Sequence, residues 1–308
     1  MKKCRYILLG LCFFLCGCAK EQEMTSMETE IPVENSEINS GVNTSLEEIS
    51  TEQIAEVENE YIINDTDYSE IFGDLTGCAV IYDFNTDEYL VYNKEIANER
   101  YSPYSTFKIV SSVMGLHNGV LIDSNSQMNY SGTLYPIENW NSNLTFEEAF
   151  NNSCIWYFKQ VIDAVGMSQV QTKLNNLSYG NCDVSEWNGS EINPMDDLNG
   201  FWLGSSLKIS PMEQIQVMRK IFGGDSIYTE GEVDLLQDVM LYDEVRDYSI
   251  YGKTGSNQNK EGWYVGVIES EQDKMCFAIY IESDEPTEAV SGYTAREIIK
   301  EIVGELRK

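Results

Sequence analysis

Ile250-Tyr251-Gly252-Lys253-Thr254, Trp263-Tyr264-Val265-Gly266-Val267-Ile268 and Met275-Cys276-Phe277-Ala278-Ile279-Tyr280-Ile281-Glu282 follow one another near the end of the chain. Each is a short run rich in β-branched and aromatic residues, and polar segments separate them, so they predict three successive antiparallel strands. Beyond them, Tyr293 to Leu306 predicts a final helix. Toward the N-terminus, Cys78-Ala79-Val80-Ile81-Tyr82 and Glu88-Tyr89-Leu90-Val91-Tyr92 flank Phe84-Asn85-Thr86-Asp87, the pattern of a β-hairpin. Between these ends the pattern is helical. Tyr104 to His117 predicts a helix opened by Pro103 and closed at Gly119. Thr145 to about Leu174 predicts more helix, and Ser210-Pro211 starts another, with Ser as N-cap and Pro in the first turn. Strands at both ends and helices between predict an α+β fold: an antiparallel sheet flanked by helices, with an inserted all-helical lobe.

The first residues read differently. Lys2, Lys3 and Arg5 precede an apolar run from Ile7 to about Cys16, the signature of a signal peptide over residues 1–17. The run is shorter than the roughly 20 residues that span a bilayer. It ends at Leu15-Cys16-Gly17-Cys18, which resembles the lipobox of bacterial lipoproteins and makes Cys18 the expected lipidation site, anchoring the chain outside the cytoplasm on a membrane. An ordinary signal peptide with a spare cysteine is the alternative. Residues 19–60 hold twelve Glu against one Lys and no aromatic residue. That composition buries too little apolar surface to offset chain entropy, so residues 18–60 are expected to be a lipidated, disordered stalk ahead of a domain over 61–308.

The formal net charge of −31 repels phosphate backbones and argues against nucleic acid as a partner. Cys78, Cys154, Cys182 and Cys276 are widely spaced with no C-x-x-C pair, which gives no zinc pattern and leaves buried free thiols as the expectation. There is a single histidine, His117, placed where a partly buried structural residue is expected. The chemistry must therefore be found without a Ser-His-Asp triad or a multi-histidine metal site.

Ser105-Thr106-Phe107-Lys108 offers one route. Residues three apart share a helix face, so a hydroxyl and an amine can meet there. Serine needs an adjacent base, and a lysine serves as one at neutral pH only if burial lowers its ordinary value near 10.4. Phe107, Ile109 and Val110 provide apolar surroundings. A capped surface helix is the bland alternative. Lys253-Thr254-Gly255-Ser256 offers the second element: Lys and Thr on a strand can hold a carboxylate, and Gly admits close approach of a ligand.

An early S-x-x-K and a late K-T-G with a helical region between them is the pattern of the penicillin-recognising serine enzymes. Further matches resemble the class D, or oxacillinase-type, β-lactamases. Tyr179-Gly180-Asn181 matches their Y-G-N box, and Ser153-Cys154-Ile155 stands where the family has S-x-V. Phe201-Trp202-Leu203-Gly204 and Ser206-Leu207-Lys208-Ile209-Ser210 resemble the tryptophan segment, and Gly262-Trp263-Tyr264-Val265-Gly266 resembles the strand after K-T-G. Ile155 departs conservatively from Val, and Ser256 stands where an aromatic residue is common. Class A relatives carry E-x-x-L-N; here the residue three before Leu198 is Met195, so that deacylating glutamate is missing.

The resemblance implies hydrolysis of β-lactams through an acyl-enzyme at Ser105. It implies that Lys108 carries CO₂ as an N-carboxylate serving as general base, that Trp202 donates its indole N–H to it, and that Ser153 and Lys253 relay a proton. Backbone N–H groups of Ser105 and Ser256 would form the oxyanion hole. Thr254, Gly255, Ser256, Ile155 and Arg296 would line the substrate site, Arg296 as candidate anchor of the drug's carboxylate. No metal and no cofactor beyond CO₂ is implied. A β-lactam sensor domain, a penicillin-binding transpeptidase and a non-catalytic lipoprotein binding module remain as alternatives. Drug spectrum and oligomeric state are not legible.

Overall fold

The structure, a computed structural model, describes residues 62–191 and 193–306. The expected leader, Cys18 and the stalk lie outside the described residues. The chain begins with β1 (Ile62–Asp65), α1 (Ser69–Phe72), β2 (Thr76–Asp83), β3 (Glu88–Tyr92) and α2 (Lys94–Asn98). The helical lobe follows as α3 (Phe107–His117), α4 (Phe146–Asn151), α5 (Ile155–Val165), α6 (Met167–Leu177), α7 (Pro211–Phe222) and α8 (Glu230–Val239). Then come β4 (Leu241–Val245), β5 (Tyr248–Asn257), β6 (Glu261–Glu269), β7 (Lys274–Glu282) and α9 (Gly292–Glu305).

The seven strands form one sheet in the order β1-β3-β2-β7-β6-β5-β4. Neighbours are antiparallel except β1 and β3, which run parallel. The first hairpin and the last three strands, far apart in sequence, meet where β2 pairs with β7. Side chains alternate across a strand. On β7, Cys276, Ala278 and Tyr280 join the large core under the helical lobe, while Phe277, Ile279 and Ile281 join a second core with Ile298, Ile299 and Ile302 of α9. Both faces of the sheet are covered, so its central strands read as near-continuous apolar runs. Each fully buried aliphatic or aromatic side chain there contributes about 1.5–3 kcal/mol.

Capping boxes open three helices: Thr145 with Glu148 on α4, Ser210 with Glu213 on α7 and Thr229 with Glu232 on α8. Three details differ from expectation. The segment expected to begin a helix at Tyr104 starts as a tight 3-10 turn, Tyr104–Thr106, and becomes α-helical only at Phe107. Tyr104 has φ +46, which no α-helix accommodates. The strand expected over Ile250–Thr254 continues to Asn257, because the β5 to β6 pairing runs on through Gly255↔Trp263 and Ser256↔Gly262. The edge strands β1 and β4, four and five residues long, lie outside the expected strands, because strands this short carry little periodic signal.

Candidate active site

Helix α3 is buried from Phe107 to Leu116, so it passes through the core of the lobe rather than over its surface. That path takes Lys108 fully out of solvent. Its Nζ donates to Ser105 Oγ at 3.0 Å and stands 5.4 Å from the centroid of the Phe158 ring. Burial lowers the ammonium to about 7, opposed by the nearby Cys154 sulfur. Cys154 is itself pushed up to about 12 by burial and remains a neutral thiol. An amine with a substantial neutral fraction near pH 7, in contact with a half-buried hydroxyl, is what a lysine base requires.

The Trp202 indole stacks on Phe107 with centroids 5.5 Å apart, and Phe201 meets both rings edge-on. Gly200 is required here, since a Cβ would collide with the Trp202 ring. Trp202 Nε1 is buried without a hydrogen-bond partner among the described residues. Such an orphan donor costs about 1–3 kcal/mol unless an acceptor reaches it.

Strand β5 supplies the other wall. Lys253 is 1% exposed; its Nζ donates to the Thr254 carbonyl at 3.1 Å and lies 5.8 Å from the Phe150 ring. Burial first, then the positive charges of Lys108 and Arg296, hold Lys253 well below the usual lysine range. A Cβ on Gly255 would stand 3.1 Å from the Pro103 carbonyl, so the strand lies directly against the turn that carries Ser105. Ser256 Oγ accepts the Gly292 N–H at 2.8 Å, tying the strand to the start of α9. Arg296, one turn into that helix, donates through Nε to Asp243 at 2.5 Å and through Nη2 to the Tyr242 carbonyl at 3.1 Å. Its guanidinium is thus engaged with β4, although its charge reaches Lys253.

Ser153 sits half-buried at the α4–α5 junction with φ +54. The same junction carries Phe150 beneath Lys253, Cys154 beside Lys108, and Ile155, which opens α5 and packs on the core. The Y-G-N residues are scaffold. Tyr179 meets Phe107 edge-on, and Asn181 binds the Lys208 N–H at 2.9 Å and the Ser206 carbonyl at 2.8 Å. Gly180, at φ +54, leaves no room for a side chain against the Lys208 carbonyl. His117 ends α3 with its Nδ1 3.3 Å from Glu232, at the far end of the helix from Ser105. Sequence reasoning missed the rings under the two lysines, Phe158 and Phe150; only the density of aromatic residues hinted at them.

Comparison with known proteins agrees with this geometry. Residues 77–304 match the penicillin binding protein transpeptidase domain. The chain is 30% identical over 240 residues to the regulatory protein BlaR1 of Staphylococcus aureus, covering 77% of this chain but 39% of that protein, about two fifths of its length. It is 31% identical to the probable beta-lactamase YbxI of Bacillus subtilis, covering 75% of this chain and 81% of that one. A crystal structure of a class D beta-lactamase from Bacillus subtilis superposes with a TM-score of 0.68 at 31% identity, over 77% of this chain and 94% of the other. The wall formed by Ser105 and Lys108 and the facing strand of Lys253 therefore belong to a member of the penicillin-binding protein transpeptidase domain family, of the class D β-lactamase type.

Proposed function

We propose that this chain hydrolyses β-lactams through an acyl-enzyme on Ser105. The observation that carries the reading is the fully buried Lys108 Nζ, 3.0 Å from Ser105 Oγ and lowered to about 7. Ser105 Oγ attacks the lactam carbonyl and its proton leaves toward the position that Lys108 holds. Backbone N–H groups of Ser105 and Ser256 receive the developing oxyanion, each such donor contributing about 3 kcal/mol. The leaving nitrogen takes a proton through Ser153 from Lys253. Thr254 and Lys253 hold the substrate carboxylate, with Gly255 and Ile155 on the rim. Arg296, held by Asp243, adds positive charge from behind. The proton on Lys108 replaces the one that Lys253 gave up, and water attacking the acyl carbon from the Lys108 side then passes its proton by Lys108 to Ser105 Oγ as the acyl–oxygen bond breaks.

The site also suits CO₂ bound to Lys108 as an N-carboxylate. Only a neutral amine takes up CO₂, burial keeps this amine neutral, and the unpartnered Trp202 N–H awaits an acceptor. When bound, the group supplies an oxygen base in a pocket without histidine. We further propose that residues 1–17 are a signal peptide and that lipid on Cys18 anchors the enzyme to a membrane, on the strength of the basic start, the apolar run and Leu15-Cys16-Gly17-Cys18. Expressed in bacteria, the protein should sediment with membranes and Cys18→Ala should release it or block its processing; equal solubility of the two forms refutes the anchor.

A second reading, a β-lactam sensor that acylates without turning over, is favoured by the likeness to BlaR1. Steady-state hydrolysis of a chromogenic cephalosporin separates the two. Continuous turnover supports the enzyme, a single burst supports the sensor, and no reaction at all refutes both.

A further inference from the structure

Tyr104, the residue before the nucleophile, has a left-handed backbone at φ +46 although it is neither glycine nor asparagine. A bulky residue keeps such a conformation only where its surroundings over-determine it. Here they do so from both ends. The Tyr104 backbone N–H donates to the Trp202 carbonyl at 3.0 Å, and the Thr106 N–H closes the turn on the Pro103 carbonyl at 3.1 Å. The phenol donates to Glu261 Oε2 at 2.6 Å. Asn257 Nδ2 donates to the phenol oxygen at 2.8 Å and to Glu261 Oε2 at 2.8 Å, which closes a three-membered knot. Glu261 Oε1 is held in turn by the Tyr280 hydroxyl at 3.2 Å. Burial pushes the phenol far up, so it keeps its proton and remains the donor to the carboxylate.

Where the knot sits gives it meaning. Asn257 and Glu261 are paired across β5 and β6 at the end of the hairpin, and Asn257 directly follows Ser256. The two backbone N–H groups assigned to the oxyanion, those of Ser105 and Ser256, each lie next to a member of the knot. We propose that the Tyr104–Asn257–Glu261 knot is a positioning device. It locks the strained turn to the end of β5, and so fixes the spacing of the two oxyanion donors and the aim of Ser105 Oγ. It acts on the transition state, where the oxyanion forms, and not on ground-state binding.

This inference rests on the acyl-enzyme reading, and the test separates the two. Stopped-flow acylation by a chromogenic cephalosporin gives the acylation rate constant and the dissociation constant of the preceding complex. Tyr104→Phe keeps the ring and removes the donor; it should lower the acylation constant roughly tenfold, the worth of about one hydrogen bond, with the dissociation constant unchanged. Glu261→Ala should do the same. Glu261→Gln keeps an acceptor and should restore the rate to within about twofold of wild type. The double variant Tyr104→Phe/Glu261→Ala should lose no more than either single one. The proposal is overturned if Tyr104→Phe acylates at the wild-type rate, if only the dissociation constant moves, if Glu261→Gln is as slow as Glu261→Ala, or if melting temperature falls while the acylation constant stands. If the wild type itself forms no acyl-enzyme, the functional reading fails and takes the knot with it; acylated wild type with equally fast variants sinks the knot alone.

Discussion

Two buried lysines face each other across this site, and they are buried by different means. Lys108 lies on a helix inside the helical lobe, over Phe158, with its Nζ on the Ser105 hydroxyl. Lys253 lies on a sheet strand, over Phe150, with its Nζ on the Thr254 carbonyl. Burial lowers both, and Lys253 also feels the positive charges of Lys108 and Arg296, which push it in the same direction. The difference assigns the work. Lys108, neutral and touching the nucleophile, is placed to accept a proton. In the proposed mechanism an anionic substrate beside Lys253 restores its charge, so that it holds the carboxylate and has a proton to give. On that proposal, a site with two lysines and no histidine obtains a base and an acid from one residue type by environment alone.

The comparison is tested most severely at the Ser105 hydroxyl, which Lys108 touches. Ser105→Ala should abolish the covalent adduct in intact mass spectrometry with a penicillin and cut turnover by on the order of 10⁴-fold or more. An adduct that survives the substitution removes Ser105 from the mechanism.

The next effect distinguishes the two lysines. Because Lys108 is lowered to about 7, it is protonated and inert below that value, so turnover should fall as pH drops through about 7. Added bicarbonate should raise the rate on that limb. With labelled bicarbonate, a carbamate carbon-13 resonance should appear in the wild type, persist in Lys253→Ala and vanish in Lys108→Ala. Full activity in CO₂-free buffer without such a resonance leaves Lys108 a free amine. The same depressed value affects stability. Between about 7 and the ordinary lysine range the unfolded chain binds a proton at Lys108 that the folded chain does not, so stability contributed by this group rises with pH across that window. Lys108→Met, similar in size and uncharged, should therefore melt several degrees higher at pH 7 while losing activity; a lower melting temperature contradicts the burial cost assigned to this side chain.

Smaller still is the effect of the orphan donor. Trp202→Phe keeps a ring on Phe107 but removes the unpartnered N–H, and should slow deacylation roughly 10- to 100-fold while raising the bicarbonate needed for half-maximal rate. An unchanged bicarbonate dependence separates the indole from CO₂ retention. The smallest effect falls on the Lys253 side. Arg296→Ala should raise KM several-fold for anionic substrates with little change in kcat, because the guanidinium is tied to Asp243 and acts through its field. A loss of two or more orders of magnitude would mean that Arg296 leaves Asp243 to grip the substrate directly.

Much of this was legible without coordinates, for reasons that differ by element. The three late strands announced themselves because both faces of the sheet are covered, which forces long apolar runs at Trp263–Ile268 and Met275–Glu282. Helix α7 announced itself through Ser210-Pro211, and α8 could have been found by the same chemistry in Thr229-x-x-Glu232. Ser105 with Lys108 and the Lys253-Thr254-Gly255 run were visible because spacing on a helix or a strand is a local property. The chain by itself thus marked most element types, though not β1, β4 or α8, together with the candidate nucleophile and both lysines.

Only the tertiary structure decided what those residues are. That Lys108 is a buried amine with a lowered pKa and not a surface ammonium depends on α3 passing through the core and on Phe158, fifty residues away in the chain, lying under its amine. That Arg296 is paired with Asp243, and that Tyr104 is knotted to Asn257 and Glu261 with a left-handed backbone, follows from contacts between segments tens to more than a hundred residues apart. Spacing along a chain fixes which side chains share a local face. Desolvation, charge coupling and strain depend on everything packed around that face, and the folded chain alone brings those groups together.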